Sequence, residues 1–308
     1  MADLITVATR AGRLAVTQTE IVISALKKIH PDLQIKIKKI TTSGDRDQRT
    51  ALWKLRTTGF FTSQVEDALL AGQADFAVHS LKDLPTRQRE GLTIAAICER
   101  QFVEDCLIAA DSSASLDRLP RSAKIGTSSP RRIAQIKHLR PDLQPTDIRG
   151  NVTTRIRKLE QGQFDAIILA RAGLERLGLS DKLSFSFDPT QFIPAAAQGA
   201  LAVQTRADDT QTTEIVAAID DQNARTTTFV ERLVLTKMHC GCHAPAGAFA
   251  NIEKKDIIIR AFISDLEAKN FISREIKGPI VNAEKLAQKI ALQLLEAGGK
   301  NILKSLER

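Results

Sequence analysis

The chain has 308 residues, enough for two or three domains that each bury a core, with 43% hydrophobic and 26% charged residues. A net charge of +8 and a pI near 9.4 favour an acidic partner. No tyrosine, one tryptophan and 4% aromatics argue against nucleic acid, because single-strand binders interleave stacking rings with their basic residues. No stretch approaches the roughly 18 apolar residues of a membrane helix, residues 1–20 lack the apolar core of a secretion signal, and four cysteines are too few for a disulfide scaffold. The expectation is a cytoplasmic protein with reduced thiols, two of them core residues, and no membrane or nucleic-acid partner.

Apolar runs in chain order predict strands at Ile5-Thr6-Val7-Ala8, Ile35 to Ile40 and Phe76-Ala77-Val78, each followed by helical spacing. The pattern then repeats. His30-Pro31-Asp32-Leu33-Gln34 recurs as Arg140-Pro141-Asp142-Leu143-Gln144, and Gly72-Gln73-Ala74-Asp75 recurs as Gly162-Gln163-Phe164-Asp165. The second copy places strands at Lys124-Ile125-Gly126, near Ile148, and at Ala166-Ile167-Ile168-Leu169. Short apolar strands alternating with helices predict an α/β fold of two lobes with parallel sheets, facing each other across a cleft. Residues 194–206 read as a return crossing, which makes the first lobe discontinuous: residues 1–99 and 200–218, with 104–194 as the second lobe. Residues 222–308 read as a small α+β C-terminal domain. It has a helix from Thr227 to Lys237, strands around Phe249, Ile257-Ile258-Ile259 and Phe271-Ile272, and a long helix from Ala283.

The cations are not scattered. They fall in five loops at predicted strand ends: Thr9-Arg10, Ser80-Leu81-Lys82, Thr127-Ser128-Ser129-Pro130-Arg131-Arg132, Arg149-Gly150-Asn151-Val152-Thr153-Thr154-Arg155, and Arg171 to Arg176. Ligands of open α/β sheets bind beyond the carboxyl ends of the strands, and guanidinium forks there hold carboxylates or phosphates. Ser129 is placed to cap a helix with Pro130 at its first position. Arg131 and Arg132 in that first turn oppose the helix dipole, a penalty that an anion would reverse. A capped surface helix with solvated arginines is the competing reading. Asp83 is a lone acid in this set, in His79-Ser80-Leu81-Lys82-Asp83-Leu84-Pro85. It is either a functional carboxylate or an ordinary turn residue before proline.

The loop His239-Cys240-Gly241-Cys242-His243-Ala244-Pro245 offers soft metal ligands, but its spacing is not that of a structural zinc site. A nucleophilic or covalently modified thiolate, favoured by nearby cations, is the better reading.

Taken in order, His79 to Pro85, Gly126 to Arg132, Arg149-Gly150-Asn151-Val152, Ala172 to Gly178, Gln198-Gly199 and Gly241-Cys242 resemble the motifs of the hydroxymethylbilane synthase (porphobilinogen deaminase) family. The resemblance runs from Thr9 to about Gly247. It implies two lobes like periplasmic binding proteins plus a third domain, and a dipyrromethane cofactor joined by thioether to Cys242. It also implies head-to-tail condensation of four porphobilinogen units with loss of ammonia, by a monomer. Asp83 is then the catalytic group. Arg10, Ser80, Lys82, Thr127, Ser128, Ser129, Arg131, Arg132, Arg149, Gly150, Arg155, Gly173, Arg176, Gln198 and Gly199 become contacts to cofactor or substrate, with no metal. The chemistry agrees. Each porphobilinogen brings two carboxylates that arginines can neutralise, and loss of ammonia leaves a cationic centre that a carboxylate can stabilise. A two-lobed anion-binding protein without catalysis is the alternative; it explains the repeat and the arginines but not Asp83 beside a cysteine loop.

The chain departs from the family pattern in places. Thr58-Gly59-Phe60-Phe61-Thr62-Ser63-Gln64 lacks the two lysines usual in a Lys-Gly-Leu-Phe-x-Lys-Glu loop. Gly12 replaces a usual Ser, Pro130 a Leu, Thr153 a Gly, and His239-Cys240 a Glu-Gly pair.

Overall fold

The computed structural model describes residues 4–42, 62–111, 114–240 and 244–306. Two compact units emerge. One is built from the described residues before Phe102 together with Gly199–Arg225. The other combines Phe102–Gln198 with residues from Thr226 onward.

The first unit contains β1 (Leu4–Arg10), α1 (Arg13–Ile29), β2 (Gln34–Ile40), α2 (Ser63–Leu70), β3 (Phe76–Ser80) and β4 (Leu92–Ile97). Its sheet is closed by β10 (Leu201–Arg206), in the order β2-β1-β3-β10-β4. Strands β1, β2 and β3 run parallel, with Ile5 opposite Ile35 and Val7 opposite Phe76. In α1, Gln18, Val22 and Leu26 recur every fourth residue and face inward. Central β3 is buried from Phe76 to His79, whereas edge β2 keeps lysines between half-buried isoleucines. Lysine on an exposed edge discourages pairing with another chain.

The second unit repeats the plan with β5 (Asp105–Ala109), β6 (Lys124–Gly126), α3 (Pro130–Leu139), β7 (Gln144–Thr146), α4 (Val152–Glu160), β8 (Ala166–Ala170), α5 (Arg171–Arg176) and β9 (Phe185–Ser186). The order β7-β6-β8-β5-β9 matches the first sheet position for position. The repeated sequence motifs make the same bonds in both lobes. Asp75 accepts the Thr6 amide at 2.7 Å and Asp165 accepts that of Lys124 at 2.7 Å. Gly72 and Gly162 both end their helices at positive φ, 65° and 72°.

Two expectations need correction. The sheets are mixed, not parallel: β10 runs antiparallel to β3 and β4, and β5 antiparallel to β8 and β9. Each lobe takes its antiparallel strand from just past a crossing between the units, and a buried antiparallel strand has the same continuous apolar run as a parallel one. The strand expected near Ile148 is Gln144–Thr146. Ile148 lies beyond it, buried in the loop that follows.

The C-terminal domain is an antiparallel meander of β11 (Ala246–Glu253), β12 (Asp256–Ser264) and β13 (Phe271–Pro279). Before it comes α7 (Gln222–Lys237), which follows α6 (Thr210–Ala217); after it come α8 (Ala283–Leu294) and α9 (Lys300–Leu306). Val230, Val234 and Met238 of the preceding segment join Ile257, Ile259, Ile290 and Leu294 in one core. No helix among the described residues is long and apolar enough to cross a membrane.

Candidate functional site

Every cationic loop lies at the carboxyl end of a parallel strand. Arg10 ends β1, Ser80 ends β3, Thr127 follows β6, Arg149 follows β7 and Arg171 follows β8.

In the first unit, β3 runs into a tight turn over Leu81–Asp83. Leu81 and Leu84 are buried and anchor it, and the Leu81 amide donates to the Ala200 carbonyl at 3.1 Å. Asp83 is carried between these anchors with its side chain exposed, and Lys82 is half-buried. The Ser80 hydroxyl lies 2.9 Å from Gln18 Nε2. His79 is buried. Burial, then the nearby Arg10 cation, holds its imidazole down to about 4, against an interaction with Gln204 that raises it. The imidazole is therefore neutral at pH 7.

In the second unit, Pro130 opens α3 as expected, but the Ser129 side chain makes no capping bond. Its amide instead donates to the Thr127 hydroxyl at 3.3 Å. Thr127 and Ser128 are buried, and Ser128 exchanges hydrogen bonds with Ile148, donating to its carbonyl at 2.5 Å and accepting from its amide at 3.1 Å. These hydroxyls join the two strand ends beneath the loop.

Arg131 and Arg132 are 5% and 7% exposed, which excludes solvated surface arginines. The anion that offsets the helix dipole is internal. Asp105, fully buried, receives Arg131 Nη2 at 2.7 Å and Arg132 Nη2 at 2.7 Å. The two guanidiniums hold the Asp105 carboxyl well below the usual carboxylate range despite burial. Sequence reading missed Asp105, which begins a strand 25 or more positions before its partners; a lone acid starting an apolar run is its only signal.

Arg149 and Arg155 come together around Gly150. The Arg155 Nε donates to the Gly150 carbonyl at 2.8 Å, and Lys158 Nζ to the Arg149 carbonyl at 3.1 Å. Gly150 sits at φ 114°, and a Cβ there would lie 2.6 Å from the Thr154 side chain, so glycine is required. Asn151 caps α4 by accepting the Thr154 amide at 2.8 Å. Burial first, then Arg132 and Arg149, push Arg155 down to about 10. Mutually repelling, half-buried guanidiniums fit a ligand rich in carboxylates.

Gly173 is buried within α5, with half-buried Arg176 as its last residue. Arg171, at the other end, is committed to Glu104 at 2.8 Å and Glu175 at 2.9 Å. Gln198 is buried and donates to both Val103 O and Asp105 Oδ1 at 2.9 Å. Gly199 follows at φ 91°.

Cys242 and its neighbours Gly241 and His243 lie outside the described residues, as do Thr58 to Phe61 of the lysine-poor loop. Cys240 is described. It packs against the C-terminal core, and burial pushes its thiol up to about 12. Cys106 is buried and likewise raised to about 12, and half-buried Cys98 packs against the core of the first unit; none of the three forms a disulfide. Among the described residues no cluster of His, Cys, Asp or Glu is arranged to hold a metal.

This combination defines a two-lobed α/β protein with cationic loops at its strand ends and an α+β C-terminal domain. Comparison with known proteins is specific. Residues 5–214 match the family model "Porphobilinogen deaminase, dipyromethane cofactor binding domain" and residues 226–296 match "Porphobilinogen deaminase, C-terminal domain". The chain is 41% identical over 302 residues to the porphobilinogen deaminase of Carboxydothermus hydrogenoformans, covering 98% of this chain and 97% of that protein. It is 40% identical over 303 residues to that of a Roseiflexus species (98% and 99% covered) and 39% over 299 residues to that of Desulforudis audaxviator (97% and 96%). The chain belongs to the porphobilinogen deaminase family, and its two lobes carry that family's dipyrromethane-binding domain. The alternative of a non-enzymatic anion-binding protein finds no support in these relatives.

Proposed function

We propose that the chain is a transferase of tetrapyrrole biosynthesis that condenses four porphobilinogen units head to tail into linear hydroxymethylbilane, releasing ammonia, as a cytoplasmic monomer. The observation that carries this reading is the match of both family domains in order, along nearly the whole chain.

Asp83 is the catalytic group in this reading. Buried leucines fix its turn, so the carboxylate is preoriented while remaining exposed to substrate. A fixed negative charge stabilises the cation that develops as ammonia leaves, and its oxygens accept the pyrrole N–H. Arg10 at the end of β1, with Ser80 and Lys82 beside Asp83 in the chain, would take the acetate and propionate groups. In the second unit Arg131, Arg132, Arg149, Arg155 and Arg176 would hold the older rings, with Thr127, Ser128, Ser129, Gly150, Gly173, Gln198 and Gly199 shaping the loops around them. Cys242 would hold the dipyrromethane, which would supply the primer for chain growth.

The experiment is direct. Purified protein given porphobilinogen should consume it, release one ammonia per unit and yield hydroxymethylbilane. Folded protein that leaves porphobilinogen untouched, with an intact mass equal to the bare chain, would refute the reading.

A further inference from the structure

The reaction as proposed gives the buried carboxylate of Asp105 no role. Asp105 begins β5 with no exposure to solvent. Its Oδ1 takes Arg132 Nη2 at 2.7 Å, Arg132 Nε at 3.2 Å and Gln198 Nε2 at 2.9 Å, and its Oδ2 lies 2.7 Å from Arg131 Nη2. Each donor is tied a second time. Arg131 Nη1 donates to the Ile193 carbonyl at 2.7 Å, Arg132 Nη1 to Ile168 at 2.9 Å, and Gln198 Nε2 to Val103 at 2.9 Å. Two fixed acceptors per guanidinium define its plane as well as its place.

The same junction reaches the C-terminal domain. A Cβ on Gly247 would lie 3.2 Å from Arg131 Cδ and 3.0 Å from the Pro194 carbonyl, so the Arg131 stem packs directly on β11. Glu231, buried on α7, accepts the Ala250 amide of β11 at 2.7 Å and the Ala197 amide beside Gln198 at 2.7 Å. The strand that follows the Cys242 loop is thereby tied to the segment that holds Asp105.

We infer that Asp105 is a positioning residue for the reaction: a built-in counter-anion that fixes Arg131 and Arg132 for the carboxylates of the bound pyrrole chain and keeps them in register with the strand following Cys242. The inference rests on the function proposed above. One carboxylate orients two guanidiniums without cancelling the cluster, since Arg149 and Arg155 add charge close by. A guanidinium has five N–H donors, so both arginines have donors beyond these contacts to share with an anion. Orientation set before binding spares the ordering of two long side chains when the ligand arrives.

The test compares wild type with Asp105→Asn and Asp105→Glu. Folding is followed by near-UV circular dichroism and urea unfolding, the covalent adduct by intact mass, and kcat and KM for porphobilinogen on the folded, loaded fraction. A misplaced guanidinium pair should cut adduct occupancy or raise KM by about 10- to 100-fold in Asp105→Asn, with kcat little changed, and Asp105→Glu should recover part of the loss. Folded variants with wild-type occupancy and KM would overturn the inference, because a merely structural carboxylate affects only how many molecules fold. Failure of both variants to fold would overturn it in the same way. Wild type that carries no adduct and consumes no porphobilinogen would instead overturn the proposed function, and this inference with it.

Discussion

At the scale of single residues, the proposed reaction rests on one carboxylate and one thiol. Asp83→Asn keeps the shape of the turn and removes the charge. The rate of porphobilinogen consumption should fall by ~10²-fold or more, the effect of losing one preorganised electrostatic group. A variant that retained most of its rate would remove Asp83 from the mechanism. Of the two cysteines in the loop sequence, Cys240 has an environment that disfavours attachment. Cys240 is packed in the C-terminal core with its thiol raised to about 12, which leaves almost no thiolate at neutral pH. Cys240→Ser should keep the covalent adduct in peptide mapping, whereas Cys242→Ser should lose both adduct and turnover. The reverse pattern would move the attachment to Cys240. His79 carries a pH signature. Its folded value of about 4 lies below the unfolded 6.5, so between these values the unfolded chain binds the extra proton. Its contribution is therefore complete above pH 6.5 and is lost as pH falls toward 4, a change of about 3 kcal/mol. Urea midpoints from pH 7 to 4 should fall more steeply for wild type than for His79→Gln, and parallel profiles would refute this assignment.

At the scale of elements, the Arg149–Arg155 loop depends on how α4 begins. Asn151 takes the Thr154 amide, Gly150 supplies the positive φ, and Arg155 folds back on the Gly150 carbonyl. Asn151→Ala should cost about 1 kcal/mol in urea unfolding, the usual value of a lost cap. If the cap also sets the arginines, elongation should slow more than that loss of stability explains, with partly elongated chains accumulating on the enzyme in mass spectra. A change in stability alone would show that the arginines hold their places without it.

At the scale of the whole molecule, the duplication sets the plan. Both sheets place strands in the same order, and both end their cationic strands at the same edge. In the proposed reaction the product gains two carboxylates per unit, and each lobe carries its own set of cation-bearing strand ends. Activity should therefore fall with added salt, because exposed charges are screened over a Debye length of roughly 8 Å at physiological ionic strength. Titrating sodium chloride against KM at constant pH measures this; a flat response would argue that the buried arginines alone bind.

The sequence by itself determined the lobes, their repeat and the placement of the cationic loops. Pro-Asp and Gly-Gln turns carry their geometry locally, and Gly72, Gly162 and Gly150 each occupy the positive φ that only glycine takes readily. The motifs around Asp83, Arg131 and Arg149 were legible for the same reason, since each lies within a few residues of a strand end. Only the tertiary structure decided the rest. The direction of β5 and β10 depends on which lobe a crossing strand enters, and no local pattern encodes that. Likewise the partner of Arg131 and Arg132 is Asp105, more than 25 positions distant, because the low dielectric of a core makes an unpaired guanidinium too costly and the fold must bring it an anion from wherever the sheet places one.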